Sequence, residues 1–450
     1  MSLVIKKRGT TINSGKAAGA IALLSSLSLL AGCATATTPE TPTSSAANNS
    51  GSASALDCSA ETVSIQTWNV GASGAEDPMN AVAENYIAAT GNLVEVNSVN
   101  VEVFRSQLPT YVSSNNPPDG LKWLAGSTSR GFAEEGLLLD VSDVWSEHMA
   151  DFPAGLKALS TDSTGKQYFI PTNYYWWAVF YRPSVFEENG YSVPTTWDDF
   201  VGLAQQMESD GLTPIAIGTS GAEWVATAWF DYLNLRINGA QFHRELLEGK
   251  HSFNGPEVRE VFEKFAEIQP YFDPNSAGQE WQAGLQPLYN KQAGMTLMGG
   301  FLPIPEEMAN DIDFFAFPTI DPSIPRVEEA PTDGFFASAN TDSPECTKEF
   351  FAYLATAEAQ LKFIENSGAQ IAANPSVPDD YYSELTRKGR DHLAGAADIT
   401  QFYDRDSSQE FATPANAANA RFIAQGEAAL EEILSEWQAA AERVLAEQGN

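Results

Sequence analysis

Basic residues are scarce in this chain: Lys plus Arg total 25 against 59 Asp plus Glu, a formal net charge of −34. So acidic a surface has little with which to neutralise phosphates, which argues against nucleic acid as a partner. The charge favours solubility and says nothing direct about fold. Cysteine is scarcer still, at 3 residues, which excludes a scaffold held by many disulfides. The 4 histidines (His148, His243, His251 and His392) are scattered, and His243 with His251 offers only weak metal-ligand spacing, so no metal site is expected. No Gly-rich loop runs into Lys-Ser or Lys-Thr, and there is no G-x-S-x-G elbow or H-E-x-x-H helix. Neither an ATP site nor a cofactor is therefore expected. After residue 31 no apolar run is long enough to span a bilayer, and no short fixed repeat suggests a solenoid.

What is present is globular composition, 43% hydrophobic and 11% aromatic, in a chain of 450 residues, too long for one ordinary core. Two lobes are the first expectation. The N-terminus reads as an address label. Lys6, Lys7 and Arg8 precede the apolar stretch Ala17–Ala31, which ends in Leu30-Ala31-Gly32-Cys33. That is a secretory signal closing in a segment that resembles the lipobox of bacterial lipoproteins. The resemblance implies cleavage after residue 32 and lipidation of Cys33, which would leave the protein anchored on the extracytoplasmic face of a bacterial membrane. Loss of residues 1–32 removes four basic and no acidic residues, taking the net charge from −34 to −38. Residues 33–57, rich in Ala, Ser, Thr, Pro and Asn, form a tether of roughly 25 Å coil reach. With Cys33 lipidated, Cys58 and Cys346 remain as an even pair for a disulfide, the alternative being two buried thiols.

The folded region opens with alternation over Thr62–Trp68, a turn-rich loop from Asn69 to Pro78, a helix with Met79, Val82, Tyr86 and Ile87 on one face, and a second strand over Leu93–Val99. Strand, helix, strand is the start of an α/β lobe with parallel pairing. A helix is expected around Phe104–Ser114 and a strand after Gly165. Thr196 is expected to N-cap a helix with Asp199 three residues on. Residues 417–447 are expected to form one long amphipathic helix.

Five segments, in order, carry a family resemblance. They are GKQYFIP from Gly165 with the aromatic strand ending FYRPSVFEENGY, then VPTTWDDF, DGLTPIAIG, NKQAGMTLMGGF from Asn290, and the stretch Asp333–Phe363. The chain thus resembles the carbohydrate-binding extracellular solute-binding proteins of ABC importers, the group that includes maltose-binding protein. The resemblance implies an α/β fold of the periplasmic-binding-protein-like type II, with two lobes joined by a hinge and a ligand cleft between them. Lobe one would hold 60–171 plus 333–368, and lobe two 172–332 plus 369–450. It further implies a monomer that hands a small carbohydrate to a membrane permease and catalyses nothing.

Ten Trp, 14 Tyr and 25 Phe invite a division of labour. Most Phe, and Trp197 and Trp437 on helix faces, are expected in the core. Others stand at loops, where a stacking plate for a sugar ring, rimmed by hydroxyl-bonding side chains, is the natural use. By resemblance the lining would comprise Trp68, Asn69 and Glu76; Trp123, Ser127 and Arg130; Tyr175, Trp176 and Trp177; Glu223, Trp224, Trp281, Gly300 and Phe301; Asp333; and Gln370, Asn416 and Asn419 at the rim. Strand alternation puts Tyr175 and Trp177 on one face and Trp176 on the other. Phe301 where the maltose binder has a Trp plate, and Ser127 with Thr128 in place of a charged pair, argue against long α-glucans and leave a mono-, di- or short oligosaccharide. The competing readings are a secreted glycoside-acting enzyme, a ferric-ion binder using Tyr174-Tyr175, and a binder of a cationic solute drawn by the acidity.

Overall fold

In the computed structural model the described residues are 58–69, 77–367 and 370–448. Cys33, Glu76, the signal and the tether lie outside them. Twelve strands occur among the described residues: β1 Thr62–Asn69, β2 Leu93–Asn100, β3 Gly120–Leu124, β4 Ile170–Tyr174, β5 Trp177–Tyr181, β6 Thr213–Ile215, β7 Ala293–Gly299, β8 Asp313–Phe315, β9 Val327–Glu329, β10 Thr332–Ala337, β11 Ile371–Ala372 and β12 Asp398–Thr400. They build a six-stranded sheet in the order β11-β4-β10-β3-β1-β2, a four-stranded sheet in the order β6-β7-β5-β8, and the small pair β12-β9. The fold is α/β, with helices between most of the strands.

The opening strand–helix–strand unit forms as the sequence dictates. β1 and β2 run parallel from Thr62 opposite Leu93 to Asn69 opposite Asn100. Asp77 caps the intervening helix Pro78–Thr90, accepting from Met79 N at 2.9 Å. The same carboxylate accepts from the Ser98 hydroxyl at 2.7 Å and from the Thr67 hydroxyl, so one acidic side chain locks β1, β2 and the helix start together. β3 joins parallel to β1, and β10 returns antiparallel between β3 and β4. Gly334 is obligatory in β10, because a Cβ there would stand 2.1 Å from the Ile170 carbonyl oxygen. A disulfide joins Cys58, just before β1, to Cys346 in the helix Pro344–Leu354, with Cα atoms 5.7 Å apart.

The chain leaves the large sheet at Tyr174 and enters the small one at Trp177. Thr196 caps the helix Trp197–Ser209 through Asp199 N at 3.2 Å. Trp197 and Trp437 are buried in apolar packing, as are most Phe. The C-terminal helix is not continuous. Gly426, at φ 67° and ψ −164°, breaks it into Gln409–Gln425 and Leu430–Gln448, because that non-helical backbone conformation, open to glycine, turns the chain out of the helix. Periodicity missed the break because the apolar spacing resumes in phase beyond the glycine. Among the described residues no helix is long and apolar enough to cross a membrane.

Candidate functional site

Several strands end at the same place. Trp68 and Trp123 stand at the C-terminal ends of parallel strands β1 and β3, where open α/β sheets hold their ligands. Tyr175 and Trp177 lie on the crossing from β4 to β5, and Phe301 follows β7. Trp224 opens the helix Trp224–Ile237, and Trp281 opens a one-turn helix. Together they wall a cavity that is partly open to solvent.

The rings form a cage with edges meeting faces. Trp177 lies 6.0 Å from Trp224, 5.9 Å from Phe301 and 4.7 Å from Phe402, at interplanar angles of 88°, 75° and 64°. Trp281 lies 5.9 Å from Trp224 and 5.8 Å from Phe301. Tyr175 meets Phe301 at 5.0 Å, and Trp68 meets Trp123 at 5.7 Å across the cavity's other wall. Such edge-to-face packing fixes each ring and leaves its free face as a rigid plate.

The polar wall is charged. Arg405 Nη1 donates to Asp333 Oδ1 at 2.9 Å, and its Nη2 donates to the Tyr175 hydroxyl. Arg105 lies 3.8 Å from Asp404. Lys122 Nζ sits over the Trp68 ring at 4.7 Å. Burial works against the Arg405 charge, but Tyr175 and the carboxylates of Asp333 and Asp404 outweigh it and push the pKa higher still. Burial also pushes the Tyr175 phenol well above its ordinary value, so it stays a neutral hydroxyl. The Trp177 indole nitrogen and Gln370 Oε1, both on residues of the cavity lining, are buried without hydrogen-bond partners.

Of the expected lining, Trp68, Trp123, Tyr175, Trp177, Trp224, Trp281, Phe301, Asp333 and Gln370 face this cavity. The Asn69 side chain lies outside the described residues. Others are elsewhere, each for a physical reason. Trp176 points away, as strand alternation requires, and fills the interior beside Phe314 and Phe180. Gly300 serves that packing rather than the cavity, since a Cβ there would lie 2.8 Å from the Trp176 ring. Ser127 and Arg130 line a separate hollow, where Arg130 pairs with Asp406 at 2.7 Å. Glu223 precedes the helix Trp224–Ile237, half-buried and off the cavity. Asn416 accepts from the Thr227 hydroxyl at 2.6 Å, and Asn419 donates to the same hydroxyl at 3.4 Å, so both hold helices together. Val101, Arg105, Lys122, Leu124, Phe402, Asp404 and Arg405 complete the lining and were not foreseen. Local signals existed for two groups: a lysine inside the apolar strand GLKWL, and the charged run Asp404-Arg405-Asp406 directly after Phe402 and Tyr403.

Comparison with known proteins bears on this site. Residues 72–361 match the model of a family described as bacterial extracellular solute-binding protein. The chain is 25% identical to an uncharacterized ABC transporter extracellular-binding protein of Pyrococcus horikoshii, over 62% of this chain and 64% of that one, just under two thirds of that relative's length. It is 24% identical to a probable sugar-binding periplasmic protein of Mesorhizobium japonicum, over 70% of this chain and 75% of that one. Among solved structures, the bacterial solute receptor AcbH is similar with a TM-score of 0.80 and 29% identity, over 85% of this chain and 99% of that one; it is described as having an exclusive preference for β-D-galactopyranose.

Proposed function

The chain belongs to the bacterial extracellular solute-binding proteins, and from that premise we propose that it is the sugar-capturing component of an ABC importer, binding a mono-, di- or short oligosaccharide outside the cytoplasm. The observation that carries the reading is the convergence of Trp68, Trp123, Tyr175, Trp177, Trp224, Trp281 and Phe301 on one cavity with an Asp333–Arg405 polar wall. A pyranose offers C–H faces to such plates and hydroxyls to such a wall. The preference of AcbH makes a hexopyranose the first ligand to try.

In this reading the two lobes, 60–171 plus 333–368 and 172–332 plus 369–450, close on the sugar about the crossing near residues 174–177. Closure is driven by contacts available only when both walls touch the ligand. The closed form docks on a permease, whose partner ATPases supply the energy, and the chain is held at the membrane by lipid on Cys33. The sugar is released unchanged, so no reducing ends appear on incubation with oligosaccharides.

Calorimetric titration with D-galactose, D-glucose, maltose and cellobiose tests the proposal. Saturable binding of at least one of them is expected, with a thermal shift that follows ligand concentration. Absence of binding by any neutral sugar, together with salt-sensitive binding of a cation, would replace this reading with that of a cationic-solute receptor.

A further inference from the structure

Away from the cavity wall, a second cluster of chemistry-bearing side chains has no part in sugar capture. Asp231 on the helix Trp224–Ile237, His243 on the helix Gly239–Leu247 and Glu329 on β9 are all fully buried, and one ligand atom from each lies within 4.8 Å of the others. The two carboxyls are poorly served by protein donors. Asp231 Oδ2 accepts from the Tyr403 backbone N–H at 2.8 Å, but Oδ1 has no partner, and neither oxygen of Glu329 has one. Thr400, opposite Glu329 in the β12–β9 pair, has a buried hydroxyl that also makes no hydrogen bond. The adjacent Glu328 shows the contrast, with Arg236 at 2.7 Å and Arg326 at 3.0 Å. Cations are thus provided for Glu328, whereas the ring beside Glu329 is that of His243, at 3.6 Å.

Two unserved carboxylates side by side in a dry interior are costly, and something positive must offset them. The donor set is that of a metal site. Two carboxylates cancel a dication, a neutral imidazole supplies nitrogen, and the Gln401 backbone carbonyl, 3.0 Å from His243 Nε2, adds a further oxygen. Asn234 Nδ2, 3.3 Å from His243 Nδ1, orients the ring, while its Oδ1 accepts from Asn238 Nδ2 at 2.9 Å. We propose that Asp231, His243 and Glu329 form a structural site for a divalent transition-metal ion of the Zn²⁺ class. It would tie the helix behind Trp224 to the segment 400–405, which carries Phe402, Asp404 and Arg405 of the cavity wall.

The test is metal analysis of the purified full chain, produced in zinc-supplemented medium and never exposed to chelator, followed by refolding from guanidinium with either Zn²⁺ or a chelator. One bound ion per chain is expected, with a melting temperature several degrees higher after refolding in Zn²⁺. Glu329→Gln should lose both the ion and the zinc-dependent shift, while His251→Gln keeps them. A metal-free chain whose melting temperature is the same in zinc and in chelator would overturn the proposal and leave the carboxyls held by protons. Zinc retained in Glu329→Gln would overturn it equally, by placing the ion elsewhere. Should Glu329→Gln not fold, the metal content and refolding difference of the parent chain decide.

Discussion

Replacing Asp333 with alanine tests the polar wall of the cavity without reference to any ligand. Arg405 Nη1 lies 2.9 Å from Asp333 Oδ1, and the two side chains are 11% and 12% exposed. At that distance and an effective dielectric of ~20 the gross attraction is on the order of 5 kcal/mol, much of it cancelled by desolvation of both ions. Removing Asp333 alone leaves the desolvation of Arg405 without its compensation. A buried pair broken on one side costs ~3–5 kcal/mol. Here the Tyr175 hydroxyl still accepts from Nη2 and Asp404 still faces the guanidinium, so the low end, about 3 kcal/mol, is expected. Urea unfolding followed by tryptophan fluorescence gives the number for the parent, Asp333→Ala, Arg405→Met and Asp333→Leu with Arg405→Met together. The double variant should recover most of the loss, because an apolar pair of similar volume replaces the ions without leaving one orphaned. If Asp333→Ala unfolds within about 0.5 kcal/mol of the parent, the pair behaves as a solvated surface contact and the reasoning fails.

Four further outcomes are expected. Trp177→Ala should weaken sugar binding by about 2 kcal/mol, on the order of thirtyfold by calorimetry, because it removes a central plate. Trp176→Ala should instead lower stability by ~3–5 kcal/mol in urea, because that ring fills the interior. Reduction of Cys58–Cys346, which closes 288 residues, should cost ~3–5 kcal/mol, seen as a lower melting temperature in dithiothreitol. Acid sensitivity should depend in part on Asp311. Burial opposes its ionisation, but hydrogen bonds from Ser184 and Arg182 prevail and hold the folded pKa below the ordinary 3.8. A depressed acid stabilises fully above the unfolded value and loses that contribution as pH falls through the folded one. Below about pH 4 the parent should therefore lose more stability than Asp311→Asn, and parallel curves for the two in urea titrations across that range would contradict the assignment.

Legibility of this chain followed the range of the forces involved. Thr196 and Asp199, three residues apart, announced a helix start, and the alternation over Thr62–Trp68 announced a strand, because both depend on neighbours in sequence. Trp68, Trp123 and Phe301 were noticed for a related reason: they stand beside turns at or just past the ends of strands. The polar wall was not. Arg405 finds Asp333 across 72 residues and Tyr175 across 230, and nothing near Arg405 in sequence anticipates either. Arg130 was misplaced by the same ignorance, since its partner Asp406 is 276 residues away. Asn416 and Asn419 were misread because a helix-facing amide and a sugar-facing amide look identical until the helix packed against them, with Thr227, is known.

The division of labour between Trp176 and Trp177 shows what decides whether an aromatic residue serves the core or the cavity. The two are adjacent, equally bulky and both almost wholly buried, so neither composition nor exposure separates them. Strand alternation sends them to opposite faces but does not say which face is which. The neighbours do. Trp176 occupies space that exists only because Gly300 and Gly389 lack side chains, since a Cβ at Gly389 would stand 2.2 Å from the indole. That face is closed by backbone, and the ring there is structural. On the opposite face Trp177 also rests against a glycine, Gly299, and its indole N–H, like that of Trp176, has no partner. What sets it apart is its company: Trp224 and Phe301, which line the cavity with it, and Phe402 meet it edge to face. A ring braced by the other rings of a cavity wall keeps surface toward the hollow, whereas a ring enclosed by backbone has none to offer.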